Sequence, residues 1–437
     1  MARPLDPRSP RSRGASRGDG PTVERPRPRP LPAVDGRPDR VRLRRFRLRR
    51  DRSALRVVAP PSPTLYWTLI VTISMLCLIG LVFVLSASMV SANHNDLSSA
   101  YWFYRQAFFL GLGAVALWIG ARVDYHRWVK MGPFLLILSV AALTLVLLPT
   151  PLRHVVNGSK RWLGPDVVRF QPSELAKLGM ILWLAGLLDR RRPLMREWRQ
   201  TVLPAVVVLG VVAGLIVIEP DLGTTTLISC VTFVMLAVAG ARLDSLAACA
   251  VPGMAVGMAL SMRGYHRARL LAFMDPWKHA NNAGWQTLQS QVGIASGGLF
   301  GVGLGNSKAK WGFLPEAHTD FIFAIIGEEL GLIGCVVVIG LFTVFVVAGV
   351  NAGRRAPDLS GLLVAVGISS WIGFQALINI GVSIGALPNK GITLPFVSYG
   401  GSSLVMTMFA AGILLNIARR PGTREPMRAD RPARDRG

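Results

Sequence analysis

Few residues in this 437-residue chain combine type and position in a way that suits chemistry, and Asp320 comes first. It ends the polar run Phe313-Leu-Pro-Glu-Ala-His-Thr-Asp320 and is followed at once by the apolar Phe321-Ile-Phe-Ala-Ile-Ile-Gly327. A carboxylate at such a polar–apolar boundary can have a raised pKa, which suits a general base. The plainer role for an aspartate there is a helix cap. Glu316 and His318 crowd the same turn. His318 and Asp320 could also bind a divalent metal, although two ligands without a further cluster make no cage. Below Asp320, Ala324, Gly327 and Gly331 recur at helical spacing, leaving room for a groove or a close helix contact.

Other candidates are spread along the chain. In Gln171-Pro-Ser-Glu-Leu-Ala-Lys177, Ser173 reads as an N-cap, and Glu174 and Lys177 share a helix face at i, i+3. That pair is either an internal salt bridge or part of a polar cavity, because an intramembrane lysine is costly unless it has a partner. Glu219-Pro-Asp221 reads as a turn with a helix cap or as a site. Gln375, Asn379 and Ser383 form a polar stripe, either interhelical glue or a cavity lining. The run Gly297-Gly-Leu-Phe-Gly-Val-Gly-Leu-Gly305 only superficially resembles a phosphate loop, since no strand of a βαβ unit precedes it, and reads as a tight loop. Cys77, Cys230, Cys249 and Cys335 lie in apolar runs and read as small buried hydrophobes without disulfides.

The elements that must position these residues are membrane helices. Hydrophobic residues make up 51% and charged residues 17% of the chain, against about 25% charged in an average soluble domain. A bilayer-spanning helix needs about 20 apolar residues, and candidate spans lie near 65–91, 105–121, 132–149, 173–188, 202–218, 222–240, 244–262, 320–348, 361–386 and 395–417. The expected fold is therefore all-α and polytopic, with about ten transmembrane helices in a 63–418 membrane domain and a large outer loop, 263–319, between spans seven and eight. The net charge of +25 is concentrated outside that domain. Residues 1–62 read as a disordered basic tail, too poor in apolar residues to offset its ordering entropy, and 419–437 as a second basic tail. A positive tail is better explained by retention in the cytoplasm and attraction to anionic lipid than by nucleic acid. Short loops at 122–131, 189–200, 241–243 and 349–360 carry Arg and Lys, whereas 92–104 and 219–221 carry none, which places both termini in the cytoplasm.

Two outer segments break the charge rule. The 263–319 loop is long enough to cross regardless of charge. The short 150–172 loop carries Arg153, Lys160, Arg161 and Arg169, and an anionic substrate at the membrane surface would explain them, because phosphate oxygens accept charge-assisted hydrogen bonds.

Five stretches together resemble the SEDS family (shape, elongation, division and sporulation): Asn157-Gly-Ser-Lys-Arg-Trp-Leu163, Phe170-Gln-Pro-Ser-Glu-Leu-Ala-Lys177, Glu219-Pro-Asp-Leu-Gly-Thr224, Leu314-Pro-Glu-Ala-His-Thr-Asp-Phe-Ile-Phe-Ala324 and Gly391-Ile-Thr-Leu-Pro-Phe-Val-Ser-Tyr-Gly-Gly-Ser402. The resemblance covers roughly 65–418, in order. Phe273-Met-Asp-Pro-Trp277, Gly303-Leu-Gly-Asn-Ser307 and Pro315-Glu-Ala-His318 bring the chain closer to the FtsW-like division branch than to the elongation branch. The resemblance implies a peptidoglycan glycosyltransferase. Such an enzyme polymerises lipid II, a disaccharide-pentapeptide on undecaprenyl pyrophosphate, at the outer face of the cytoplasmic membrane. It works beside a class B penicillin-binding protein that cross-links the peptides, among other divisome proteins. The family's essential aspartate falls on Asp320, its motif lysine on Lys177 and its Arg-Trp arginine on Arg161.

An α-linked donor giving a β-1,4 bond requires one inversion, one base for the acceptor hydroxyl and cations for the departing pyrophosphate. The expectation is Asp320 as base, with Lys177 paired to it and tuning it, and Glu316, His318 and Glu174 in support. The substrate-binding set is Arg161, Lys160, Gln171, Asp221, Asn379, Lys390 and Ser398. The pyrophosphate suggests Mg²⁺ or Mn²⁺, with no organic cofactor, and lipid tails are expected beside Gly327 and Gly331. The rival reading is a lipid II flippase whose path Gln375 and Asn379 would line.

Overall fold

The computed structural model describes residues 63–94, 101–149, 153–156, 159–165, 169–195, 197–262, 264–281, 284–315 and 317–420. The tail readings for 1–62 and most of 419–437 therefore lie outside the described residues, as does Glu316.

Ten long helices occupy the ten expected places: α1 (Pro63–His94), α2 (Tyr101–Arg122), α3 (Tyr125–Leu147), α4 (Pro172–Arg190), α5 (Val202–Ile218), α6 (Leu222–Ala239), α7 (Leu243–Ser261), then α10 (Ile322–Arg354), α11 (Leu359–Ser383) and α12 (Gly401–Arg419), with α8 (Gly264–Met274) and α9 (Trp285–Gly297) folding the loop between α7 and α10. Eight of the long helices are individually apolar and long enough to span a bilayer. The remaining two depart for visible reasons: α4 carries Glu174, Lys177, Asp189 and Arg190, and α5 is only 17 residues long. One departure from an all-helical reading is a short antiparallel hairpin, β1 (Arg153–Val156) with β2 (Ser159–Leu163), in the cationic segment between α3 and α4.

Large apolar side chains such as Trp118, Phe134, Ile137, Val207, Val251 and Met254 point outward. That suits hydrocarbon as the surrounding solvent, where burial of apolar groups no longer drives helix association and close packing takes over. Glycines provide it. A Cβ on Gly412 of α12 would lie 2.2 Å from the Leu117 carbonyl oxygen of α2, and one on Gly132 of α3 would lie 2.6 Å from the Trp183 nitrogen of α4. Backbones approach there because no side chain intervenes.

Helix α10 is broken at Gly331 (φ 66, ψ −160), which leaves a half-helix from Ile322 to Leu330. The glycine run 297–305 lies against the break. Val302 and Gly303 donate to the Glu328 and Glu329 carbonyls at 3.0 and 3.1 Å, while Leu332 and Ile333 donate to those of Gly298 and Leu299 at 2.9 and 3.3 Å. A helix end leaves such groups unpaired, and lipid offers them no partners, so the loop completes what the break removes. The groove expected beside Gly327 and Gly331 is thus filled by the chain itself: Cβ atoms on Gly297 and Gly301 would lie 2.0 and 2.1 Å from the carbonyl oxygens of Gly327 and Glu329.

Candidate active site

Asp320 does not cap α10. Phe321 holds the N-cap position, at φ −118, and the helix starts at Ile322. The Asp320 carbonyl accepts from Asn379 Nδ2 at 2.8 Å, and the same amide donates to Ile392 O at 2.7 Å. One turn along α11, Gln375 Nε2 donates to Thr393 O at 3.0 Å. Both amides are almost fully buried. The two amides of the polar stripe therefore act as glue, lashing the Asp320 turn and the 384–400 segment to α11. The Asp320 carboxylate rests against Gly391: a Cβ there would come 3.3 Å from Oδ2, and at φ 62 the position favours glycine.

The 384–400 segment dips into the helices. Leu394, Phe396 and Val397 are buried, and a Cβ on Gly80, midway along α1, would lie 2.6 Å from Phe396 O. Irregular backbone at that depth survives only where protein surrounds it. Ser398 is part of that irregular turn: its buried hydroxyl accepts from Leu394 N at 2.8 Å and closes it. His318 is held in the same fabric. Its carbonyl accepts from Tyr399 N at 3.0 Å, and its ring lies 5.0 Å from that of Trp102 and 5.8 Å from that of Tyr399.

The expected Lys177–Asp320 pair is absent. Lys177 Nζ donates instead to Glu174 Oε1 at 2.8 Å and Gln375 Oε1 at 2.9 Å, with the Trp371 ring 4.7 Å away. Trp371 Nε1 also donates to Gln375 Oε1, at 2.8 Å. Helical spacing already places Glu174 beside Lys177, and a buried ammonium takes the partner that costs no rearrangement. Lys177 reaches the site indirectly, through the amide that holds Thr393. Gln171, not Ser173, is the N-cap residue of α4, with Pro172 starting the helix; Gln171 N donates to Ser402 Oγ of α12 at 3.4 Å.

Arg161, on β2, crosses to the α5–α6 turn. Its Nε donates to Glu219 O at 3.0 Å, Nη2 donates to Pro220 O, and Nη1 lies 3.8 Å from Asp221 Oδ2. Asp221 caps α6, accepting from Thr224 N and Thr224 Oγ1, both at 2.9 Å. Arg161 also lines a small recess with His266 and Arg269 of α8, Asn389 and Lys390, about 40 Å³ in volume. A recess of that size has room for a phosphate-sized group. Burial pushes the Lys390 ammonium below its ordinary pKa, against smaller opposing pulls from Cys230 and Asp221. Burial lowers His266 too, and Arg269 and Arg161 lower it further. The positive charges of Arg161, Arg269 and Lys390 on its wall favour an anion, whereas burial alone opposes a charge of either sign there. Lys390 joins it to Asp320, because the carboxylate rests on the next residue, Gly391.

His266, Arg269 and Asn389 are site-lining residues that the spacing of motifs does not reveal. The broken charge rule in the 263–319 loop is the signal that points to Arg269. Glu328 and Glu329, side by side in an apolar run, are a second signal passed over. The side chain of Lys160 lies outside the described residues. Among the described residues no group of three or more His, Cys, Asp or Glu could hold a metal ion.

A multi-pass membrane protein with an anion-favouring recess beside a boundary carboxylate is the class that fold and geometry define. Residues 66–422 match the cell cycle protein family FtsW/RodA/SpoVE, and the chain belongs to that family. It is 40% identical over 357 residues to the probable peptidoglycan glycosyltransferase FtsW of Coxiella burnetii, covering 80% of this chain and 95% of that one. It is 42% identical over 354 residues to stage V sporulation protein E of Bacillus subtilis, covering 80% and 96%. Among solved structures it resembles a chain from a study of how a peptidoglycan synthase complex coordinates polymerization and crosslinking (TM-score 0.65, 28% identity, 81% of this chain and 97% of that one). It also resembles the rod shape determining protein RodA of Thermus thermophilus (TM-score 0.60, 29% identity, 81% and 96%).

Proposed function

We propose that this chain is a peptidoglycan glycosyltransferase that polymerises lipid II for septal wall synthesis, with both termini in the cytoplasm and the Asp320 face outward. The observation that carries the reading is the boundary carboxylate beside an anion-favouring recess, in a chain that matches FtsW relatives over nearly their whole length. Asp320 takes the proton from the acceptor 4-hydroxyl as its oxygen attacks the donor C1, and the C1–pyrophosphate bond breaks with inversion. Arg161, Arg269 and Lys390 hold the pyrophosphate as negative charge develops on it. Asn379, Gln375 and, through Gln375, the Lys177–Glu174 pair keep the Asp320 turn and Lys390 in register. Asp320 would be the residue to hold a divalent cation accompanying the pyrophosphate, and such a cation would offset the charge developing on the leaving group.

A class B penicillin-binding protein completes the assembly. The flippase reading loses its lining, because Gln375 and Asn379 are committed to the chain's own backbone. The test supplies purified protein and its penicillin-binding partner with lipid II. Glycan chains are expected on a gel; lipid II carried across liposomes without polymerisation would instead establish the flippase.

A further inference from the structure

The mechanism above leaves unused a second buried group of charges. Glu328 and Glu329 sit on the half-helix of α10, and Lys310 in the loop that follows the glycine run; all three are almost wholly buried. Glu328 accepts from Lys308 N at 2.8 Å, from Ala309 N at 3.2 Å and from the Ser307 hydroxyl. Glu329 Oε1 accepts from Lys310 Nζ at 3.1 Å, from Ser86 Oγ of α1 at 2.6 Å and from Ser307 N at 3.4 Å. Lys310 Nζ also donates to Ser86 Oγ at 3.2 Å and to Gly305 O. Two carboxylates and an ammonium thus clasp three parts of the chain: α1, the 305–310 loop and the half-helix.

Apolar packing could hold a helix in place without these charges, and at lower desolvation cost. What a densely hydrogen-bonded polar cluster adds is one fixed geometry, here with Glu329 Oε2 alone left without a partner among the described residues. The half-helix needs that, because the break at Gly331 removes the support of the rest of α10, and its free end carries the Asp320 turn. We propose that Glu328, Glu329 and Lys310 are positioning residues for glycosyl transfer, holding the half-helix so that Asp320 meets the acceptor hydroxyl. This rests on Asp320 as the base.

The test compares Lys310→Met, Lys310→Arg and the double variant Lys310→Met/Glu329→Gln with the parent, each with its penicillin-binding partner. Removing one charge strands the other, whereas removing both spares stability, so the double variant separates folding from positioning. The readouts are thermal unfolding, kcat and KM for lipid II, and the acid limb of the pH–rate profile. A displacement of about 1 Å can cost on the order of a hundredfold in rate. The double variant is therefore expected to unfold near the parent temperature, yet to lose at least about tenfold in kcat, with KM within about twofold and the acid limb displaced. Lys310→Arg should recover most of the rate. A double variant with parental kcat, or kcat losses that simply follow unfolding temperature across the set, would overturn the proposal. Asp320→Asn is run in parallel: parental activity there overturns the base assignment itself, while an inactive Asp320→Asn beside a fully active double variant overturns only the clasp.

Discussion

Glu219 offers a prediction whose size and sign both follow from its surroundings. Its side chain is fully buried in the α5–α6 turn, and among the described residues neither carboxyl oxygen has a hydrogen-bond partner. Arg161 lies close by but binds the Glu219 backbone carbonyl and approaches the Asp221 carboxylate instead. Burial, and then the charge on Asp221, push the Glu219 carboxyl up from 4.5 to about 8, against a smaller opposing pull from Arg161. Its folded-state pKa is thus above its unfolded one. The stability it permits is fully present below about pH 4.5 and is lost as pH rises through about 8. Each tenfold difference in proton affinity is worth about 1.4 kcal/mol, so the penalty is about 1 kcal/mol at pH 5 and approaches roughly 5 kcal/mol above pH 9. Glu219→Gln keeps the shape of the neutral acid and removes the titration. It should lead the parent by only about 1 kcal/mol near pH 5 and by about 5 kcal/mol at pH 9, read as a widening gap in unfolding temperature in detergent. A gap that stays constant from pH 5 to 9 would refute the argument.

Other consequences follow from single contacts. Lys177→Met strands the Glu174 carboxylate and should cost about 3–5 kcal/mol, most of which Lys177→Met/Glu174→Gln should recover; unfolding temperatures of the two variants check this. Gly301→Ala puts a Cβ 2.1 Å from Glu329 O at a position with φ 82, and should destabilise by more than about 2 kcal/mol, visible as loss of folded protein in size-exclusion profiles. Arg161→Lys replaces a fork that spans two carbonyls and a carboxylate with a single point charge. It should raise KM for lipid II and steepen its dependence on ionic strength, measured by polymerisation at low and high salt.

Hydropathy and charge make the ten long helices legible from residue types alone, because lipid imposes one length and one composition on every span. Three features escape that reading. Asn157-Gly158 between the two strands is a hairpin signal, but a hydropathy scan passes over so short an element. The break in α10 at Gly331 is invisible to it because the run stays apolar, and the dip of 384–400 because Pro388-Asn-Lys390 reads as an ordinary loop; both irregular backbones are satisfied by partners distant in sequence, such as Val302, Gly303, Gln375 and Asn379. The same distance explains the candidate site. Spacing finds Lys177 beside Glu174, since helical neighbours are fixed locally. It cannot place Arg161 against the α5–α6 turn, or Asn379 beneath Asp320, because those contacts depend on how the helices pack. Polar residues such as Asn379, Ser398 and Asp221 read as substrate contacts, and each also holds the chain's own backbone in place, a structural role that residue type alone does not separate from binding.

Everything turns on Asp320, and its most direct test is the initial rate of lipid II polymerisation by purified Asp320→Asn protein with its penicillin-binding partner. Loss of a general base typically costs 10²–10⁴-fold. The account predicts a fall of that order with KM and unfolding temperature near the parent's, because the Asp320 contact to Asn379 runs through the backbone carbonyl and survives the substitution. An Asp320→Asn protein that polymerises at the parental rate would contradict it.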